Sequence, residues 1–126
     1  MKHHILVVDD EEPIRNLLST FFERNGYQVT TAATADEAKR LVEECVINLI
    51  ILDIALEESD GLELLGKLRG LHPQLPVVIL TGMGFDDELY QEAVQKGAAG
   101  YMSKTLPLEQ LLMEVHRALV PKPQRV

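Results

Sequence analysis

Asn48-Leu49-Ile50-Ile51-Leu52-Asp53 decides the fold. Four apolar residues in a row leave no polar face, the pattern of a strand buried on both sides of a parallel sheet. The run then ends on a carboxylate. A charge at the edge of so apolar a strand is costly unless something there uses it. The same arrangement returns on either side along the chain. Ile5-Leu6-Val7-Val8 runs into Asp9, Pro76 opens Val77-Val78-Ile79-Leu80 before Thr81, and Ala99 to Ser103 leads to Lys104. Tyr27 to Ala33 reads as a further strand, with more polar residues.

Helical patterns fill the gaps between these strands. Pro13 suits a first helical residue, and Ile14, Leu17, Leu18, Phe21 and Phe22 follow at helical spacing until Asn25-Gly26 stops them. Thr34 and Glu37 form a capping-box pattern that opens a second helix running to about Cys45. Asp60-Gly61 marks a turn, and Leu62, Leu64, Leu65 and Leu68 carry a third helix to His72-Pro73. Gly82 and Gly84 make a loop. Asp86 and Asp87 suit the N-terminus of a fourth helix that ends at Lys96-Gly97. Pro107 starts the last helix, with Leu108, Leu111, Leu112, Val115 and Leu119 on one face. Five strands and five helices in strict alternation predict a doubly wound α/β fold around a five-stranded parallel sheet. The expected domain covers residues 1–120, and 121–126, with Pro121 and Pro123, reads as a linker or tail.

Composition narrows the function. The 126 residues suit one domain, and 46% apolar content is enough for a core. A net charge of −8 argues against nucleic-acid binding, which needs a basic face, and against docking on anionic membranes. It suits a protein that holds a divalent cation. The single cysteine, Cys45, rules out an internal disulfide and reads as a small core or half-buried residue. The apolar runs are too short to span a membrane and no signal peptide fits the start, so a cytoplasmic location is expected.

In an open parallel sheet, ligands bind at the carboxyl ends of the strands. Asp9, Asp10, Glu11 and Glu12 follow the first strand, Asp53 the third, Thr81 and Gly82 the fourth, and Lys104 the fifth. If strands one, three, four and five are neighbours, three carboxylates, a hydroxyl and an ammonium share one edge. Clustered carboxylates repel, and Mg²⁺ relieves that repulsion with oxygen ligands, often one or two carboxylates together with a phosphate. A carboxylate left free can attack phosphorus to give an acyl phosphate, and the remaining work is positioning and charge neutralisation. Taken singly, each residue also has an ordinary use. Glu11 and Glu12 read first as complements to the dipole of the first helix, Asp9 and Asp10 as turn residues, and Lys104 as a solvated lysine.

Together these segments resemble the receiver domains of bacterial two-component response regulators, of the chemotaxis-regulator-like kind. The carriers are Ile5 to Glu11, Leu49 to Asp53 with Asp60-Gly61, Val78 to Gly82, and Gly97 to Lys104, and the resemblance spans about residues 3 to 120. It implies a flavodoxin-like (β/α)5 architecture with strand order 2-1-3-4-5. It also implies roles. Asp53 would be the phosphoacceptor, loaded from a sensor histidine kinase or phosphotransfer protein. Asp10 would be the direct Mg²⁺ ligand, with Asp9 assisting and the Ala55 carbonyl as backbone ligand. Thr81 and Lys104 would bind phosphate oxygens, and Tyr101 would be the aromatic switch residue that moves with Thr81. Such a domain is a signalling phosphoacceptor rather than an enzyme, and its chemistry is limited to self-directed phosphotransfer and autodephosphorylation. An output domain beyond residue 120 and a homodimer through helix 4, strand 5 and helix 5 are further expectations.

Departures from the family pattern are visible. Leu56-Glu57 stand where the family has Met-Pro, Glu57 and Glu58 add charge to that loop, and Thr105 follows the lysine where the family has a cis-linked proline. They leave open a degenerate receiver that acts as a phosphorylation-independent interaction module. Two other uses of the fold fit less well. A cofactor binder would want a Ser-, Thr- or Gly-rich loop where Asp9 to Glu12 stand, and an aspartyl-phosphate phosphatase would want a second acid in Asp53-Ile54-Ala55.

Overall fold

The computed structural model describes residues 2–56, 59–82, 86–105 and 107–120. Glu57, Glu58 and Gly84 of the loops read above, and the tail 121–126, lie outside the described residues.

Five parallel strands form the sheet: β1 (His4–Val8), β2 (Gln28–Ala32), β3 (Leu49–Asp53), β4 (Val77–Thr81) and β5 (Gly100–Ser103). Their spatial order is 2-1-3-4-5, as the resemblance implied. One addition was not expected. Ala55–Leu56 and Ser59–Asp60 pair antiparallel as a separate two-residue ladder just beyond β3. Counting that ladder in chain order makes β4 and β5 the sixth and seventh strands, with the topology of the main sheet unchanged.

The burial of each strand follows its composition. β3 and β4 are buried at every position, as β1 is except at His4. β2 and β5 form the edges. Their sequences, Gln-Val-Thr-Thr-Ala and Gly-Tyr-Met-Ser, carry the polar residues that an edge tolerates. Five helices cover the faces: α1 (Glu12–Arg24), α2 (Ala35–Glu44), α3 (Gly61–Leu71), α4 (Asp87–Gln95) and α5 (Leu108–Leu119). The alternation of side chains along each strand divides the core in two. Leu6, Val8, Ile50, Leu52 and Ile79 meet Ala38 and Val42 of α2, Leu65 and Leu68 of α3 and Ala93 of α4. Ile5, Val7, Leu49, Ile51 and Val78 meet Leu18 and Phe22 of α1 and Leu111 and Val115 of α5. Each large apolar side chain so buried contributes on the order of 1.5–3 kcal/mol.

The punctuation largely matches the sequence reading. Pro13 sits in the first turn of α1, and Gly26 takes a φ of +90° just beyond it. Thr34 caps α2 by accepting from the Glu37 amide at 3.1 Å, while the Glu37 carboxylate reaches back to the Ala33 amide at 2.8 Å, one residue before the cap. Asp60 caps α3 and Asp86 caps α4. Cys45 caps the end of α2 and is half-buried. Leu17 corrects the periodicity. It is 50% exposed because the core stripe of α1 runs through Leu18 and Phe22, leaving Leu17 at its margin. Among the described residues, no helix is long and apolar enough to cross a membrane.

Candidate functional site

The carboxyl ends of β1, β3, β4 and β5 bring Asp9, Asp53, Thr81 and Lys104 to one rim. The adjacency follows from register, since Val8 pairs with Leu52, Asp53 with Leu80, and Thr81 with Ser103, the residue before Lys104. Asp9 is 1% exposed, Asp53 2% and Thr81 1%, and they are the buried polar side chains among the described residues.

Asp9 and Asp53 are held in the same way. Each commits its Oδ1 to the backbone amide two residues on, Glu11 N–H at 2.8 Å for Asp9 and Ala55 N–H at 3.0 Å for Asp53. This local bond is the Asx turn that aspartate favours at strand ends. It leaves each Oδ2 pointing into the site, where both meet Lys104. The ammonium lies 2.9 Å from Asp9 Oδ2 and 3.1 Å from Asp53 Oδ2. The contact with Asp53 is an aligned hydrogen bond, whereas the contact with Asp9 is a charge pair outside hydrogen-bond alignment. A third carboxylate, Glu11 Oε1, stands 3.4 Å from the same ammonium. Glu11 was expected to serve the helix dipole alone. It sits at the N-cap of α1, and its side chain also joins the site. Its distance in sequence from Lys104 hides that pairing.

Charge here is unbalanced. Burial pushes the Asp9 carboxyl above its usual range, and the neighbouring Asp53 charge adds to this, against the pull of the Glu11 amide and Lys104. For Lys104, burial alone would lower the pKa. The paired carboxylates of Asp9 and Asp53 outweigh it and lift the ammonium above the ordinary lysine range. One oxygen each from Asp9, Asp10 and Asp53 lies within 4.8 Å of the other two. Three hard oxygen donors at that spacing, two of them buried, suit Mg²⁺ or Ca²⁺ rather than a soft metal.

Neighbouring groups set the walls. Arg15 of α1 donates to the Asp9 carbonyl at 2.7 Å, the Lys104 amide donates to the Thr81 carbonyl at 2.8 Å, and Ile54 N–H reaches the Leu80 carbonyl at 3.2 Å. Gly61 opens α3 directly beneath the Asp53 loop. A Cβ there would stand 2.4 Å from Ile54 Cα and 2.6 Å from the Asp53 carbonyl. In the sequence Asp60-Gly61 reads only as a turn, because this close approach is tertiary.

Tyr101 lies on β5, two strands over from Asp53 on β3. Its ring stacks edge-on against Tyr90 of α4, with centroids 5.7 Å apart. Burial raises its hydroxyl pKa, the Asp86 charge adds to this, and the neighbouring Thr81 side chain opposes both. Tyr101 therefore touches Thr81 on one side and α4 on the other. The Lys104–Thr105 peptide, placed in question by the missing proline, is trans.

A model of the family described as "Response regulator receiver domain" matches residues 5–116. The chain is 37% identical over 123 residues to Protein PetR of Rhodobacter capsulatus, covering 98% of this chain and 51% of PetR. It thus spans about half the length of that curated relative. Among solved structures it is similar to a CheY-like receiver domain protein from Methanospirillum hungatei, with a TM-score of 0.89, 32% identity and 94% of each chain covered. It is also similar to a response regulator from Burkholderia pseudomallei that carries a phosphorylated aspartic acid, a calcium ion and citrate. There the TM-score is 0.84 with 32% identity, over 90% of this chain and 66% of that one.

Proposed function

The chain belongs to the response regulator receiver domain family, and from that premise we propose that Asp53 is the residue that carries its phosphoryl group. Receiver domains are the phosphoacceptors of two-component signalling. The carrying observation is the division of labour on Asp53. Its Oδ1 is fixed by the Ala55 amide, its Oδ2 faces Lys104 at 3.1 Å, and the whole residue is 2% exposed at the strand end. An oriented oxygen beside an ammonium is a nucleophile with a counter-charge already in place.

In this reading Asp53 Oδ2 attacks the phosphorus of a phosphohistidine on a kinase or phosphotransfer protein. The new O–P bond forms as the P–N bond breaks, and the imidazole leaves. Lys104 then exchanges carboxylate oxygens for phosphoryl oxygens, and the Thr81 hydroxyl donates to another. Asp9, Asp10 and Asp53 would hold Mg²⁺, with the Ala55 carbonyl as a fourth ligand. When bound, that ion supplies neutralisation of the phosphoryl and carboxylate charge. Because Thr81 neighbours Tyr101, its engagement would alter the packing of Tyr101 on Tyr90 and so the outer face of α4 and β5. Tyr90 and Val94 expose apolar surface there, at 36% and 48%. This supports the face as the docking place for a partner, an output domain or a second copy. Attack of water on the acyl phosphate would be autodephosphorylation and would return the free carboxylate.

Acetyl phosphate with Mg²⁺, read by intact mass, tests the assignment. The wild type gains one phosphoryl group and Asp53→Asn gains none. No adduct on the wild type would favour the degenerate module, and an adduct that survives Asp53→Asn would move the acceptor elsewhere.

A further inference from the structure

Lys104 must be aimed, and its C-terminal neighbour cannot aim it by ring constraint, because residue 105 is threonine. A different device stands at that place. Ser103 Oγ accepts the Thr105 amide at 3.1 Å, and the Ser103 and Thr105 hydroxyls bond each other at 2.7 Å. Both bonds bracket a single residue, Lys104. A side-chain oxygen bonded to the amide two residues on closes a turn that fixes the backbone of the residue between. Thr81 pairs with Ser103 in the sheet, and the Lys104 amide donates to the Thr81 carbonyl at 2.8 Å. The turn is thus anchored to β4 on one side and closed on itself on the other. The lysine stem then passes over Gly82, with Cδ 3.7 Å from where a Cβ would stand, and reaches the carboxylates of Asp9, Glu11 and Asp53.

We propose that Ser103, with Thr105 as its hydroxyl partner, is the positioning residue that aims Lys104 into the acidic site in this chain. Its value to phosphoryl transfer rests on the reading of Asp53 as acceptor. Its effect on Lys104 does not. A long, flexible lysine chain pointing from an unclosed loop would sample solvent and leave Asp9 and Asp53 uncompensated, whereas the closed turn removes that freedom at the backbone.

The experiment uses the full chain and two readouts. Competitive acylation with acetic anhydride at trace levels, followed by peptide mass spectrometry, measures the reactivity of Lys104 against Lys39 and Lys67. Those two side chains are 40% and 52% exposed and serve as internal standards. In the wild type Lys104 labels slowly, since it is shielded and its ammonium is ion-paired. Ser103→Ala should raise its relative labelling about 3-fold or more and slow acetyl-phosphate labelling of Asp53 several-fold, with the thermal midpoint little changed. Ser103→Thr keeps the hydroxyl and should restore both. Thr105→Val keeps the amide but loses the hydroxyl, and should fall between wild type and Ser103→Ala. Unchanged Lys104 labelling in Ser103→Ala overturns the proposal whatever Asp53 does. So does a rise in Ser103→Thr as large as in Ser103→Ala, because bulk rather than the hydroxyl would then be at fault. A rise confined to Ser103→Ala in a protein whose wild type takes up no phosphoryl group would uphold the aiming role and sink the phosphoacceptor reading instead.

Discussion

The two ends of the sheet treat polar groups in opposite ways. At the amino end, His4 and Asn48 close on each other: the His4 amide donates to Asn48 Oδ1 at 2.7 Å and the Asn48 amide to the His4 carbonyl at 2.8 Å. The His4 ring is bonded on both nitrogens, to the Val46 carbonyl at 3.1 Å and to Thr30 Oγ1 at 2.6 Å. Those bonds join amide, carbonyl, hydroxyl and imidazole groups, with no carboxylate among them. At the carboxyl end, three carboxylates converge on one ammonium, and two of them are buried. One end is a finished joint. The other holds an excess of negative charge, and that imbalance gives a cation and a phosphoryl donor something to act on.

The contrast can be broken most forcefully at Lys104. Lys104→Met leaves Asp9 and Asp53 buried without compensation and should cost about 3 kcal/mol in urea melts without divalent cation. Acetyl-phosphate labelling should fall by roughly 100-fold. Asn48→Ala at the quiet end should cost about 1–2 kcal/mol through the orphaned His4 amide, with the labelling rate unchanged. If Asn48→Ala slowed labelling as Lys104→Met does, the two ends would not be separable. Mg²⁺ at ten times its dissociation constant should stabilise the wild type by about 1.4 kcal/mol, and Asp10→Asn should reduce that gain at the same concentration. Thermal melts with and without the ion read it directly.

The smallest effect concerns Asp9 and pH. Its folded pKa is raised, chiefly by burial, so the stability it contributes is present while it is protonated. That contribution is lost as pH rises through the folded value, which lies above the ordinary 3.8. Metal-free Asp9→Asn lacks this loss. Its advantage over wild type should therefore grow between about pH 4 and pH 7. An Asp9→Asn variant less stable than wild type at pH 7 would mean that the Lys104 attraction outweighs burial.

How much of this could be read from the chain depends on range. β1, β3 and β4 announce themselves as unbroken apolar runs, and a residue that directly follows such a run must lie at the sheet rim. Asp9, Asp53 and Thr81 were legible for that reason alone. Lys104 was read in the same way, from a strand that is a short and partly polar edge. The contacts that stayed hidden are those that two distant segments make together. Glu11 on Lys104 was missed because its place beside the first turn of a helix already explained it. The short ladder past β3 was missed because two residues carry no periodicity. Ser103 and Thr105 look like ordinary polar neighbours of a lysine, and their hydroxyl pair depends on a turn that the sequence left undecided. Leu17 failed in the other direction, since helical spacing marks a stripe without marking its width.

Gly61 carries a consequence for how the domain can respond. The atoms packed against it belong to the backbone of Asp53 and Ile54, so this wall has no side chain that could swing aside. The acceptor loop and the first turn of α3 therefore behave as one anvil. In the proposed reading any yielding to a new dianion is left to the opposite wall, where Lys104 passes over Gly82 and Thr81 neighbours Tyr101. In that reading the fold would give an incoming charge a fixed seat on one side and a movable arm on the other, which would set the direction in which the message leaves.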